Sequence, residues 1–245
     1  MSTLLPVTTP CPDCGAAVSG EVVVVGNLGK RPDLRQAILD RTWNVLSCAC
    51  GHRITVVRTS AALDFSRRQW LVCYPRWAEV HWRDLAAAVA AGFRRNLGVA
   101  APEALRAEQA RWAVRVVFGP EALREKLVIW DAGLDDRDVE RGKIALLAGR
   151  PDRIDDEIAL VGVDHGLIWR IGAPGVPAIT LRTDRALLST PLPTGFSEAD
   201  WSADPFVSAR RWFVTPRGAD PLTFDLDGGL TRNQGRADLA LGLEG

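Results

Sequence analysis

The feature that most constrains this chain is a set of four cysteines arranged as two short pairs. Cys11 and Cys14 are separated by two residues, Cys48 and Cys50 by one, and a glycine follows each pair. Closely spaced thiolates can bind one ion at about 2.3 Å, and glycine permits the positive φ that such a tight turn needs. Four thiolates complete a tetrahedral shell. The pattern therefore predicts a structural Zn²⁺ site whose ligands are Cys11, Cys14, Cys48 and Cys50.

The second pair departs from the usual zinc-ribbon spacing, in which both halves read Cys-x-x-Cys. Ser47 stands where the third ligand would be, so either Cys48 binds from a tighter turn or the site is weakened. His52 lies two residues past Cys50 and is an alternative ligand to Cys48. A ribbon that has kept its fold and lost its metal also stays open, whereas a redox pair is disfavoured because the βαβ setting of such motifs is missing. Cys73, in an apolar strand, is expected to be a free buried thiol.

The N terminus and the hydropathy of the chain bear on its compartment. Residues 1–10 are short and neutral rather than basic and apolar, and no apolar run approaches the roughly 18 residues that span a bilayer. We therefore expect a cytoplasmic protein without a membrane partner. Thiols stay reduced in the cytoplasm, which favours metal binding over disulfides. The prevalence of arginine over lysine is typical of a GC-rich bacterial genome.

Hydrophobic patterns divide the chain into three regions and predict an α+β fold. A zinc-ribbon-type β unit with an inserted helix spans 1–84, a helical extension spans 85–150, and a small β-rich region spans 151–245. Runs of β-branched and aromatic residues predict strands, and apolar residues at helical spacing predict helices. The expected strands are 21–25, 53–58, 69–74, 115–118, 157–163, 167–171 and 178–182. The expected helices are 32–41, 102–112, 120–130 and one that starts at Asp135 or Asp136.

The cysteine motif and the residues around it are similar to those of a known family. The segments Cys11 to Gly15, Arg31 to Arg35 and Cys48 to Gly51 resemble the CpXC-domain family of bacteria and archaea, which is named for its Cys-Pro-x-Cys motif. The run Arg115 to Leu147 is also similar, so the resemblance extends over about the first 150 residues. It implies a zinc ribbon and no known reaction.

Charge and motif content bear on two of the candidate functions. The formal net charge is zero, so the chain exerts no long-range attraction on nucleic acid. Nucleic-acid binding through the doublets Arg67-Arg68, Arg94-Arg95 and Arg210-Arg211 is therefore a first alternative that the charge does not favour. None of the three histidines lies in a catalytic motif, which leaves an enzyme with its site in 151–245 as the second alternative.

Large aromatic side chains favour a third class of function. Trp70, Trp77 and Trp82 follow the cysteine region closely and could form a surface for a partner, although such rings more often fill a core. We therefore expect a non-catalytic interaction module, an adaptor or an assembly component. It would bind a protein partner through a rigid surface that zinc stabilises.

Overall fold

The computed structural model confirms an α+β fold with an N-terminal sheet, several helices and a small C-terminal sheet. It describes residues 1–99, 101–148, 157–172, 177–192, 202, 204–213, 222–224 and 230–232. The chain forms two compact units, residues 1–120 with 216–245 and residues 121–215. The predicted division of the chain after residues 84 and 150 stays a prediction.

The described residues form strands and helices along the whole chain. The strands are β1 Thr3–Pro10, β2 Ala17–Asn27, β3 Val45–Ser47, β4 Arg53–Thr55, β5 Ser60–Asp64, β6 Gln69–Tyr74, β7 Ala113–Phe118, β8 Glu157–Val163, β9 Leu167–Gly172, β10 Ile179–Thr183, β11 Leu222–Phe224 and β12 Leu230–Arg232. The α-helices are α1 Pro32–Leu39, α2 Trp82–Phe93, α3 Glu103–Ala107, α4 Pro120–Asp131, α5 Asp136–Ala148 and α6 Arg210–Phe213. Short 3₁₀ segments are Arg76–His81, Gln109–Arg111 and Arg185–Ser189, and Arg94–Val99 is a π-helical turn. None of these described helices has the length and apolar content that crossing a membrane requires.

Five strands form the main sheet of the first unit, in the order β1-β2-β5-β6-β7. β1 and β2 are an antiparallel hairpin, and β5 pairs parallel with β2 and antiparallel with β6. β7 lies parallel to β6 and is buried at every residue from Val114 to Phe118. Because successive side chains of a strand point to opposite faces, this unbroken burial means that β7 is covered on both faces.

A two-stranded sheet, β3–β4, has Cys48 and Cys50 in the turn between its strands. Asn44 joins this sheet to the main sheet. The Asn44 side chain accepts a hydrogen bond from the N–H of Val23 at 2.7 Å and donates one to the Val23 carbonyl at 3.1 Å. The neighbouring Trp43 ring lies so close to Gly26 of β2 that a Cβ there would come within 2.8 Å of it. These contacts place the start of β3 against β2.

The second unit packs α4 and α5 against the antiparallel sheet β10-β9-β8. Its core surrounds Trp169 of β9, which is fully buried together with Ile129 of α4 and Val139 of α5. The helices form a hairpin at Gly133, whose φ of 68° suits a helix stop. Asp135 begins α5 by accepting a hydrogen bond from the N–H of Arg137 at 2.8 Å, as an N-terminal cap does.

Five charged side chains are buried together in this unit: Glu125, Lys126, Asp136, Glu140 and Lys143. Lys143 Nζ donates to Glu125 at 2.7 Å and to Glu140 at 2.9 Å. Lys126 Nζ donates to Asp136 at 2.9 Å and to the carbonyl of Val207 at 3.0 Å. Burial favours the uncharged amine, but the carboxylates of Glu125 and Glu140 raise the pKa of Lys143 above its ordinary value. The network therefore keeps this lysine charged at neutral pH inside the unit.

Most of the predicted elements are present, and several differ in length. β6 and β8 occupy the predicted residues 69–74 and 157–163, whereas the predicted strand 53–58 ends at Thr55. The predicted helix 102–112 is divided into α3 and a 3₁₀ segment. Strands β1, β3, β5, β11 and β12 were not predicted. Much of the predicted region 151–245 lies outside the described residues.

Lys143→Met is expected to destabilise the second unit by about 3 kcal/mol or more, because it leaves the buried carboxylates of Glu125 and Glu140 with one cation fewer. Asp138→Asn in the same helix is the matched control. Asp138 is half-buried and pairs with Arg141 at 3.1 Å near the surface, so its loss is expected to cost under about 1 kcal/mol. Urea unfolding followed by circular dichroism measures both. Equal losses in the two variants would contradict a structural role for the network.

Candidate metal centre

The first cysteine pair lies at the tip of the β1–β2 hairpin. Residue pairing along the hairpin ends at Pro10 and Ala17, and the turn between them contains Cys11 and Cys14. The N–H of Gly15 donates to the Cys11 carbonyl at 2.8 Å, and Gly15 has a φ of 73°. Few residues other than glycine adopt this left-handed conformation without strain, so the glycine after the pair is required by the backbone.

The second pair lies at the tip of the β3–β4 hairpin and has the same construction. The N–H of Cys48 donates to the carbonyl of His52 at 2.9 Å, and the N–H of Gly51 donates to the carbonyl of Cys48 at 2.9 Å. Gly51 has a φ of 93°. The turn is one residue tighter than the first, and Cys48 and Cys50 still point into a common space with the first pair.

The four sulfur atoms of the two tips meet. The Sγ atoms of Cys11 and Cys50 are 3.6 Å apart, those of Cys14 and Cys48 are 3.5 Å apart, and all four lie within 4.8 Å of one another. A disulfide places its sulfurs about 2.05 Å apart, so these distances belong to free thiols. The four cysteines could hold one metal ion.

A small apolar cluster supports the site. Val18, Leu46 and Ile54 are buried beneath it together with the side chains of Cys11 and Cys48. Cys14 and Cys50 are exposed, so the group is buried on one side and faces solvent on the other. Burial of this kind excludes water from part of the cluster but leaves an entry path for an ion.

One hydrogen bond between side chains connects the two tips directly. His52 Nδ1 lies 2.8 Å from the Asp13 carboxylate, and both side chains are partly exposed. Asp13 follows Pro12 in the turn of the β1–β2 hairpin, and His52 follows Gly51 in the turn of the β3–β4 hairpin. The contact therefore bridges the two hairpins beside the sulfurs. Sequence reasoning missed this role of Asp13, although it is the one acidic residue between the two cysteines of its pair.

Hydrogen bonding affects the four thiols unequally. Burial raises the pKa of the Cys11 thiol, but hydrogen bonds from the backbone of Cys14 and Asp13 outweigh it and lower the pKa to about 7. A backbone hydrogen bond to each of the other three sulfurs favours the thiolate. The neighbouring cysteines and burial nevertheless raise the pKa values of Cys14, Cys48 and Cys50 above the usual one. The lowered pKa of Cys11 favours its thiolate, and a metal that binds all four sulfurs must displace the remaining protons.

The structure brings together all four cysteines that the sequence singled out. Cys48 lies within the cluster although the second pair is spaced Cys-x-Cys, so Ser47 in place of a cysteine does not prevent the four sulfurs from meeting. His52 makes the contact with Asp13 instead and does not belong to the group of potential ligands found among the described residues.

Cys73 is a free, buried thiol, as predicted. It lies in β6 with its Sγ 3.9 Å from the carbonyl of Tyr74, and burial raises its pKa to about 12. His165, at the tip of the β8–β9 hairpin, is fully exposed and lies 3.7 Å from Asp164. Neither residue joins a wider cluster of metal-ligating side chains within the part of the chain that the structure describes.

Comparison with known proteins adds one finding. Residues 9–143, more than half of the chain, match the sequence model of a family described as CpXC protein. Neither a curated protein nor a solved structure shows a significant match. The matched segment contains all four clustered cysteines and ends within α5.

Gly51→Ala is expected to destabilise the first unit by roughly 1–2 kcal/mol, because alanine is strained at the positive φ of this turn. A Cβ at Gly51 would meet nothing within 4 Å, so crowding makes no contribution. Gly92→Ala is the matched control, since Gly92 lies in α2 with equally open surroundings and a helical backbone. That substitution is expected to stabilise by roughly 0.5–1 kcal/mol. Thermal unfolding of both variants gives the sign, and a neutral Gly51→Ala would contradict the strained turn.

Proposed function

Because the chain belongs to the CpXC protein family, we propose that it is a non-catalytic interaction module whose N-terminal unit is held together by one structural zinc ion. Cys11, Cys14, Cys48 and Cys50 are its ligands. The observation that carries the proposal is the meeting of their four sulfurs at the tips of two separate hairpins.

The spacing of the sulfurs supports a single tetrahedral ion. Four thiolates at about 2.3 Å from zinc lie about 3.8 Å from one another in a regular tetrahedron. Two of the sulfur pairs are 3.6 and 3.5 Å apart, and the remaining distances stay below 4.8 Å. Small movements of the two exposed cysteines would bring all of them to the ideal value. Zinc and iron both accept four thiolates, and elemental analysis distinguishes them.

The composition of the site supports a structural role for the ion. Four protein ligands fill a tetrahedral shell and leave no position for water or substrate, which a catalytic zinc requires. The apolar cluster beneath the site is small, so the two tips gain little from hydrophobic burial alone. Binding of the ion would contribute the missing stability and would couple metal binding to folding of the two hairpins. Reduced thiols are needed for this, in keeping with a cytoplasmic location.

Exposed aromatic side chains on the same unit support the role as an interaction module. Trp77 is 42% exposed and Phe65 is 43% exposed. Large rings at the surface are enriched where proteins bind one another, because they bury much apolar area at a small cost in side-chain entropy. A zinc-stabilised scaffold keeps such rings in fixed positions. We therefore propose that the partner is a protein.

Zinc content tests the metal site. The purified, never-chelated chain is expected to contain one zinc per chain, and Cys14→Ser or Cys50→Ser is expected to lower that content at least ten-fold. Both residues are exposed, so their replacement leaves no cavity. Cys73→Ala and His52→Ala are controls that should keep the metal, because neither side chain belongs to the cluster. Inductively coupled plasma mass spectrometry supplies the measurement. A wild-type chain without zinc, or one that needs His52 for it, would overturn the assignment.

Co-purification tests the role in binding. The tagged chain, isolated from its own cells after nuclease treatment and mild cross-linking, is expected to retain one protein partner in fixed ratio. The Cys73→Ala chain should retain the same partner, whereas Cys14→Ser should lose it, because the scaffold no longer forms. Quantitative mass spectrometry of the eluates measures the ratio. Loss of every bound component on nuclease treatment would favour nucleic-acid binding and contradict the proposal.

A further inference from the structure

Four aromatic rings pack together at the end of the main sheet where β5 turns into β6. Phe65 meets Trp112 edge to face with ring centroids 5.2 Å apart, and Trp112 lies 6.1 Å from Phe93. Phe93 in turn lies 5.6 Å from Trp70. We call these four residues the aromatic cluster. Phe93 and Trp112 are buried, whereas Phe65 turns one side of its ring to solvent.

Along the sequence, each of five arginines lies within two residues of one of these rings: Arg67, Arg68, Arg94, Arg95 and Arg111. We call them the arginine collar. The three segments that supply them, residues 64–70, 92–97 and 108–113, contain two acidic residues, Asp64 and Glu108. Five positive and two negative side chains leave a local charge of three, on a chain whose formal net charge is zero. Positive charge is therefore concentrated in the three segments that contribute the rings of the aromatic cluster.

The two acidic residues are already engaged. Asp64 is buried and lies 3.8 Å from both Arg35 and Arg67. Glu108 pairs with Arg68 at 2.8 Å and with Arg111 at 3.8 Å. These contacts also bind the β5–β6 turn to the segment before β7, which gives the surface a defined shape.

Arg94 and Arg95 have no such partner. Both are exposed on the π-helical turn that follows Phe93, and neither makes an ion pair or a hydrogen bond within the described part of the chain. Arg111 keeps its 3.8 Å contact with Glu108, and 71% of its side chain is exposed. An exposed guanidinium group can bind a carboxylate through two parallel hydrogen bonds.

We propose that the aromatic cluster and the arginine collar form a docking surface for a short acidic segment of a protein partner. Its carboxylates pair with Arg94, Arg95 and Arg111, and an apolar or aromatic side chain of the segment packs on Phe65. This assignment rests on the proposed function and names the chemistry of the partner.

The charge distribution favours an acidic peptide over a nucleic acid. The chain as a whole has no net charge and the collar segments carry three positive charges, so the rest of the chain carries three negative charges and would repel a phosphate backbone that ran beyond the collar. Single-stranded nucleic acids also bind along rows of stacking rings, whereas the cluster offers one exposed ring, Phe65. A short segment with one apolar anchor and several carboxylates matches the size of the surface.

Fluorescence anisotropy on the zinc-loaded 245-residue chain tests the proposal. The probe is a fluorescein-labelled peptide with one central tryptophan flanked by glutamates, measured at low and at physiological salt. Binding is expected to weaken with salt, because exposed charge pairs are screened. It should weaken about ten-fold in Arg94→Glu/Arg95→Glu and in Phe65→Ser. Arg182→Glu/Arg185→Glu is the matched control, since it makes the same charge change at two exposed arginines of the second unit.

Each outcome of this experiment either supports or contradicts the proposed docking surface. Loss of binding in both collar and Phe65 variants, with the control unchanged, supports the surface. No binding of the glutamate peptide, equal binding of its glutamine counterpart, or equal effects of the two double variants overturns it. Tighter binding of a labelled oligothymidylate than of the peptide would assign the surface to nucleic acid instead. A chain that keeps its zinc and its co-purifying partner but ignores the peptide overturns this surface alone, whereas the absence of zinc or partner refutes the proposed function.

Discussion

Repulsion among four sulfur ligands is the constraint on which the two hairpin tips of the N-terminal unit depend. Two thiolates 3.6 Å apart repel each other by about 5 kcal/mol at an effective dielectric of 20. Without a cation, the cluster is therefore stable only if most of its thiols stay protonated, and the raised pKa values of Cys14, Cys48 and Cys50 agree with this. A divalent ion reverses the balance, because the attraction between the ion and the four thiolates outweighs their mutual repulsion.

The two units solve the problem of stability by different means. The first has two hairpin tips over a small apolar cluster and a set of thiols suited to a metal. The second surrounds Trp169 with aliphatic side chains and closes its interior with a buried ion network. A buried network of this kind contributes little when compared with apolar packing, but removing one member is costly. We therefore expect its members to specify one arrangement of α4 and α5 more than they add to its stability.

The sequence predicted the fold class, the position of most strands and the four cysteines that meet. Local patterns were sufficient for these, because β-branched runs and closely spaced cysteines act over a few residues. β1 was missed because Pro6 and Pro10 interrupt its pattern, and an edge strand tolerates proline where a central strand does not. The ion network was beyond local reading, since Lys126 pairs with the carbonyl of Val207, far along the chain. A signal existed nonetheless: two of the three lysines of the chain, Lys126 and Lys143, are buried in it.

The prolines of β1 have a consequence for how this protein meets others. β1 is an edge strand of the main sheet, and on its inner side it pairs with β2 along its whole length. A proline nitrogen carries no hydrogen, so Pro6 and Pro10 interrupt the row of donors that another strand would need to extend the sheet at this edge. Pairing of a second strand with β1, including the β1 of another copy of the chain, is thereby disfavoured at this edge of the main sheet.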